Sequence, residues 1–326
     1  MKEGKAVSII LDTDIETDSD DVGAVAVLHA LADQGEANIL GMICSSPLEW
    51  EAPCLQALNT FYNRPLIPIG TLKVKDQDSD SNLLPYLDHV RRMHPQRMYN
   101  RYISQHYPNT LRSGRNAPDS TQVYRKLLSA QPDRSVTICA VGFLGPLSRL
   151  LQSGPDEWSE MNGTELVRRK VNLLVSMAIA TFPEGKDRFN WKMDPESAEQ
   201  VLSHWPTPIA VSEYGDHIWT GSRLCLELDE QHPVRTAYKL YLDGEGKSRS
   251  SWDQVAVLYA VRGTGDVFTE KTGYKIKYDA GTGMHHWHSH DEGSGDIYIK
   301  PTLSSEEMAL RIENLMIAAK GPAVND

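Results

Sequence analysis

The sequence predicts an α/β protein built on a doubly wound, mostly parallel central sheet with helices on both faces. Three observations predict it. Short continuous apolar runs, such as Ala6 to Leu11 (AVSIIL) and Ile39 to Ile43, have the length and branched-residue content of strands buried on both faces. They alternate with segments of helical character, the order that right-handed crossovers between parallel strands produce. An acid-rich turn joins the first strand to the first helix, at the carboxyl edge of the sheet where such folds bind ligands.

After the first strand, Val22 to Ala32 (VGAVAVLHALA) reads as a helix that stops at Asp33-Gln34-Gly35. Ile39 to Ile43 is the second strand, Ala52 to Tyr62 a helix, and Leu66 to Ile69 the third strand. Lys73 to Asn116 is polar and weakly periodic, so it reads as loop with short helices over one end of the sheet. Ser120 to Ala130 is helical and Ser135 to Ala140 (SVTICA) a strand. Val141-Gly142-Phe143 then leads into a helix through Leu151. Val171 to Met177 and Ile209 to Ser212 are strands, with the helix Pro195 to Ser203 between them. Trp252 to Val261 is a buried helix, and Lys275 to Tyr278 and Asp296 to Ile299 form a late β excursion. Ser304 to Ala318 closes the chain as an amphipathic helix, with Ser304 and Glu307 spaced as a capping box. Without internal repeats or linker-like stretches, residues 1–326 read as a single domain, with residues 73–116 and 275–300 as insert or loop regions near the active-site end.

Composition narrows the function. The formal charge of −11 argues against a nucleic-acid partner, because affinity for phosphate backbones rests on clustered Lys and Arg. No run approaches the ~18 apolar residues of a transmembrane helix, so no membrane partner is expected. The first strand begins almost at once, without a signal peptide, which gives a cytoplasmic expectation. Cys44, Cys54, Cys139 and Cys225 are widely spaced and form no CxxC pair, so neither a disulfide framework nor a structural zinc site is expected. Asn162-Gly163-Thr164 matches a glycosylation sequon by chance.

The most informative segment is Asp12-Thr13-Asp14-Ile15-Glu16-Thr17-Asp18-Ser19-Asp20-Asp21, in which six of ten positions are acidic. At about 5 Å and an effective dielectric near 20, each carboxylate pair costs about 3 kcal/mol. A hard divalent cation is the natural counterion, since calcium accepts six to eight oxygens in a flexible shell. The bland alternative is an acidic turn with its charges splayed into water. An EF-hand is excluded, because no helix precedes the segment and no Gly has the required spacing.

Asp12 to Val25 (DTDIETDSDDVGAV) resembles the N-terminal signature of the inosine–uridine-type nucleoside hydrolase family, in the longer form DTDIGxDxDDxxAL. Four further segments are similar to that family in order and spacing: Asn59 to Gly70, Ser135 to Leu151, Arg188 to Leu202 and Ser251 to Val261. The resemblance implies a bound calcium held by Asp14, Asp21, the backbone carbonyl of Val141 and Asp253. It further implies that Asp14 acts as general base on a water that attacks the anomeric carbon of a nucleoside-like small molecule. Asp20 and Asn190 would hold the ribose hydroxyls, Asp18 would add a further ligand or support one, and Asp12 would orient the loop from behind. A homodimer or homotetramer is implied by the same analogy.

The sequence also departs from the family. Glu16 replaces a Gly, Arg188 replaces a sugar-binding Glu, Trp252 replaces a His, and Ser45 and Ser46 stand near a usual sugar-contacting Asn. Arg188 either meets an anionic group on the substrate or lies at the surface. Trp252 either stacks on a base or belongs to the core. These departures keep a second reading open, a nucleoside-binding protein that has lost turnover. A phosphatase of the haloacid dehalogenase type is a further rival. It also places Asp-x-Asp after a strand, but it wants Thr or Val where this chain has Glu16. The run His285-His286-Trp287-His288-Ser289-His290-Asp291-Glu292 invites a zinc reading, against which a polar loop between two late strands is the expectation.

Overall fold

A computed structural model describes residues 6–16, 18–73, 83–290, 295–319 and 321. In chain order its strands are β1 (Val7–Thr13), β2 (Ala37–Cys44), β3 (Ile69–Thr71), β4 (Val136–Ala140), β5 (Val171–Met177) and β6 (Glu184–Lys186). They continue as β7 (Ile209–Ser212), β8 (Trp219–Thr220), β9 (Arg249–Ser250), β10 (Phe268–Asp279), β11 (Met284–Ser289) and β12 (Asp296–Pro301). Ten of them form one sheet in the order β3-β2-β1-β4-β5-β7-β12-β10-β11-β6, while β8 and β9 make a separate ribbon.

From β3 to β12 every neighbouring pair is parallel, and β10, β11 and β6 extend the sheet antiparallel. The predicted doubly wound architecture is therefore present, with a longer antiparallel flank than the sequence suggested. Strand order reverses between β1 and β4, so a crevice opens at their carboxyl ends.

The first helix, Asp20–Asp33, is buried at every residue from Asp20 to Leu31. It runs between the sheet and two other helices, Trp252–Arg262 and Ser305–Ala318. A helix enclosed on all sides cannot be amphipathic, and its Ala and Gly content lets neighbours approach closely. A Cβ on Gly23 would lie 2.3 Å from Gln254 Nε2 and 2.8 Å from the Tyr238 hydroxyl. That close approach brings the start of Trp252–Arg262 beside the start of Asp20–Asp33.

Several expectations are corrected. The third strand forms at Ile69–Thr71, not Leu66 to Ile69, because Pro65 and Pro68 lack the N–H that a ladder requires and Leu66 is exposed. Lys73 to Asn116 does carry the expected short helices, Leu83–Met93 and Tyr99–His106, while residues 74–82 lie outside the described ones. The histidine run is not a loop. Met284–Ser289 is β11, whose side chains alternate between faces, so His285 is buried with Nε2 2.9 Å from the Thr181 carbonyl while His286 meets Glu184 outside. Asp291 and Glu292 of that run lie outside the described residues. The helix Gly163–Lys170 was not anticipated. Asn162, read as part of a chance sequon, is its N-cap in a capping box with Glu165. All four cysteines are free, and among the described residues no helix is long and apolar enough to cross a membrane.

Candidate active site

The turns that follow β1 and β4 meet at the switch point and frame a cavity of about 550 Å³, a size suited to a small molecule. Asp14 comes directly after β1 and Val141 directly after β4, and both line the cavity. Gly142 makes their approach possible, since a Cβ there would sit 2.3 Å from Ser45 Oγ and 2.7 Å from the Asp14 nitrogen. Val141 N joins the two turns by donating to the Asp12 carbonyl at 2.7 Å, and Ser45 N, just after β2, donates to the Thr13 carbonyl at 2.9 Å.

Asp20 and Asp21 open the helix Asp20–Asp33, where the exposed N–H groups favour carboxylates. Asp253 is the second residue of Trp252–Arg262. Their oxygens lie within 4.8 Å of one another, and all three residues are buried. Burial, reinforced by repulsion among themselves, Asp14 and Asp18, pushes all three carboxyls well above the usual carboxylate range. Thr13 Oγ1 donates to Asp21 Oδ1 and works the other way.

A site of this kind must hold either shared protons or a cation. Buried hard oxygen donors fit a divalent ion of the calcium type, and the Val141 carbonyl adds a neutral oxygen. That carbonyl already accepts from Asn190 Nδ2 at 2.7 Å, which leaves its second lone pair free to ligate. Asn190 is fixed further by donating to the Met177 carbonyl at 3.1 Å.

The structure thus gathers Asp14, Asp18, Asp20, Asp21, Val141, Arg188, Asn190, Trp252 and Asp253 around one cavity. It groups Asp20 with Asp21 and Asp253, where the resemblance had Asp14 in that company and Asp20 on the sugar. Ser46 is not among the lining residues, and its hydroxyl donates to Glu51 Oε1 at 2.6 Å. Asp12 lies buried behind the loop with Oδ2 accepting from the Tyr124 hydroxyl at 2.7 Å. Burial raises its carboxyl well above the usual range.

Two acids of the loop are committed elsewhere. Glu16 is buried and accepts from Arg91 Nε at 2.8 Å and Asn100 Nδ2 at 2.8 Å. Asp18 is gripped by Arg249, whose Nε lies 2.9 Å from each of its oxygens. Its carbonyl accepts from the Tyr99 hydroxyl at 2.6 Å. Sequence reading missed Arg91, Tyr99, Asn100 and Arg249, and it also missed Asp216. One Asp216 oxygen accepts from Arg188 at 2.7 Å and the other from Trp252 Nε1 at 3.0 Å. Asp216 and the lining residue His217 follow β7, so the rule that ligands gather at strand carboxyl ends was the available signal. Asp187 supplies a carboxylate one residue before Arg188. Backbone N–H groups of Ile179, Phe189 and Trp191 occupy it at 2.7, 3.0 and 2.8 Å.

Fold and site define a class: a doubly wound α/β protein with a buried carboxylate cluster at its switch point. The fold is that of the nucleoside hydrolases. The structure is similar to the inosine-uridine preferring nucleoside hydrolase from Bacillus anthracis, with 12% identity, TM-score 0.66, and coverage of 96% of this chain and 100% of that one. It is similar to a purine-preferring ribonucleoside hydrolase from Gardnerella vaginalis at 12% identity and TM-score 0.70, covering 95% and 98% of the two chains. It is also similar to the type III effector protein XopQ, determined in complex with adenosine diphosphate ribose, at 14% identity and TM-score 0.67, covering 96% and 94%. No protein-family model matches the chain, and the comparison with curated proteins found no match.

Proposed function

We propose that this chain hydrolyses the N-glycosidic bond of a ribonucleoside or nucleoside-like substrate with the help of bound calcium. The observation that carries the reading is the buried trio Asp20, Asp21 and Asp253, set beside Asp14 in a small-molecule-sized cavity on a nucleoside hydrolase fold. Asp14, Asp21, Asp253 and the Val141 carbonyl would hold the ion, and Asp20, with an oxygen within 4.8 Å of those of Asp21 and Asp253, would join them. When bound, calcium stabilises negative charge on oxygen and orders the oxygen atoms around it.

The rest is work for the chain's own side chains. Asp14 accepts a proton from the attacking water as the water oxygen bonds to the anomeric carbon through an oxocarbenium-like state, while the base leaves with the C–N bonding pair and takes up a proton from solvent. Asn190, whose amide nitrogen is locked on two backbone carbonyls, presents its amide oxygen to accept from a sugar hydroxyl. Trp252 is held by Asp216 and gives the cavity a fixed aromatic wall for the base. Glu16 counts against a haloacid dehalogenase-type phosphatase, because Arg91 and Asn100 hold its side chain where that chemistry needs Thr or Val.

The test is chromatographic product analysis over a panel of nucleosides, nucleotides and modified nucleosides, with and without chelator. Free base plus free sugar, lost on chelation and restored by calcium, is the expected result. Binding without products would favour a nucleoside-binding protein, and phosphate release alone would favour the phosphatase.

A further inference from the structure

The six acids of residues 12–21 do not act as one set. Asp20 and Asp21 join Asp253, and Asp14 lines the same cavity. Asp18 also lines it, yet it is taken up by a guanidinium: Arg249 Nε lies 2.9 Å from Oδ1 and from Oδ2, and Nη2 donates to Oδ2 as well. The two side chains are only 18% and 31% exposed, so the pair is largely withdrawn from water. Arg249 is itself fixed, with its Cζ 5.0 Å from the centre of the Trp252 ring and Trp252 anchored on Asp216. It sits on β9, four residues before Asp253, so the one ion pair ties the N-terminal acid loop to the segment that carries the C-terminal carboxylate.

We propose that Arg249 is a positioning residue of the cation site, which sets divalent-cation affinity by holding Asp18 out of the donor set. The proposal rests on the reading that the cavity binds such a cation. With Asp18 neutralised, four carboxylates remain for the ion, Asp14, Asp20, Asp21 and Asp253, since the other lining acids, Asp187 and Asp216, are engaged by backbone N–H groups and by Arg188 and Trp252. Asp18 stands close enough that its charge is the strongest one acting on Asp20, so removing the guanidinium returns a fifth carboxylate to the site. Removing Asp18 does the reverse and leaves an unpaired cation facing the donors. The two partners of one ion pair should therefore change affinity in opposite directions.

Calcium is titrated calorimetrically into chelator-treated protein as wild type, Arg249→Gln, Asp18→Asn and the double variant. The glutamine variant is expected to bind calcium at least fivefold more tightly, and the asparagine variant at least fivefold more weakly. The double variant should return to within threefold of wild type. Arg249→Lys keeps the charge and should also stay within threefold, which carries the test if the glutamine variant does not fold. A pair that is merely a structural brace would weaken binding in both single variants and in the lysine variant, and that result overturns the proposal while leaving the cation reading intact. Wild-type protein that binds none of calcium, magnesium or manganese overturns both.

Discussion

One carboxylate separates binding from turnover in the proposed reaction. Among the four acids assigned to the cation, Asp14 is the one outside the close trio, so neutralising it should spare cation binding more than chemistry. Asp14→Asn is expected to lower kcat about 10³-fold, the scale of a lost general base, with an unchanged melting temperature. Turnover within tenfold of wild type would remove that role from Asp14. Gly142 tests the framework instead of the chemistry. Gly142→Ala drives a methyl group against the Asp14 nitrogen 2.7 Å away, a backbone atom that cannot step aside. The expected loss is about 1–3 kcal/mol in urea unfolding, together with most activity. The acids themselves were legible in the sequence, and their division of labour was not. Glu16 finds Arg91 75 positions away and Asp18 finds Arg249 231 positions away, and no local pattern reports pairings that distant.

At the scale of elements, local chemistry predicted well wherever it acts alone. Ser304 and Glu307 were expected as a capping box. Ser304 Oγ indeed accepts from Glu307 N at 3.2 Å while Ser304 N donates to Glu307 Oε2 at 3.1 Å. Ser304→Ala should cost about 1 kcal/mol in chemical unfolding and leave kcat untouched, since the helix Ser305–Ala318 lies away from the cavity lining. A change below about 0.3 kcal/mol would mean that packing alone holds that end. Strands whose partners come late in the chain were less legible. β11 looked like loop because its run is polar, yet it pairs with β10 on one side and β6 on the other. The same long-range pairing explains why Phe268–Asp279 is far longer than the run expected at Lys275 to Tyr278. Its first third, through Lys271, gains order from β12 and not from its own sequence.

Across the whole molecule, the parallel half was readable because alternation of buried strand and helix leaves little choice of topology, and that half also fixes the crevice between β1 and β4. Its stability should carry a pH signature of opposing signs. Asp20, Asp21 and Asp253 have raised carboxyls, so without a cation they favour the folded state as pH falls. Buried histidines act the other way. His29 is enclosed where the first helix meets Glu51–Phe61, stacked on Tyr62 at 4.5 Å with Nε2 2.9 Å from Asn59 Oδ1. Burial, aided by the nearby Arg64 charge, pushes its imidazole down to about 3. The unfolded chain takes up that proton near pH 6.5. His29's contribution is thus complete above pH 6.5 and is lost as pH falls toward 3, by about 2 kcal/mol at pH 5. His232, pushed down to about 4 chiefly by burial, has the same sign. Because the aspartates oppose it, the slope for wild type alone is mixed, and the difference from a variant isolates the histidine. Urea unfolding of His29→Gln and wild type in chelator at pH 7, 6 and 5 should show the variant losing about 2 kcal/mol less across that range, whatever its stability at pH 7. Parallel pH dependences would mean that His29 is protonated in the folded protein, with water reaching a ring that the packing of the first two helices otherwise keeps dry.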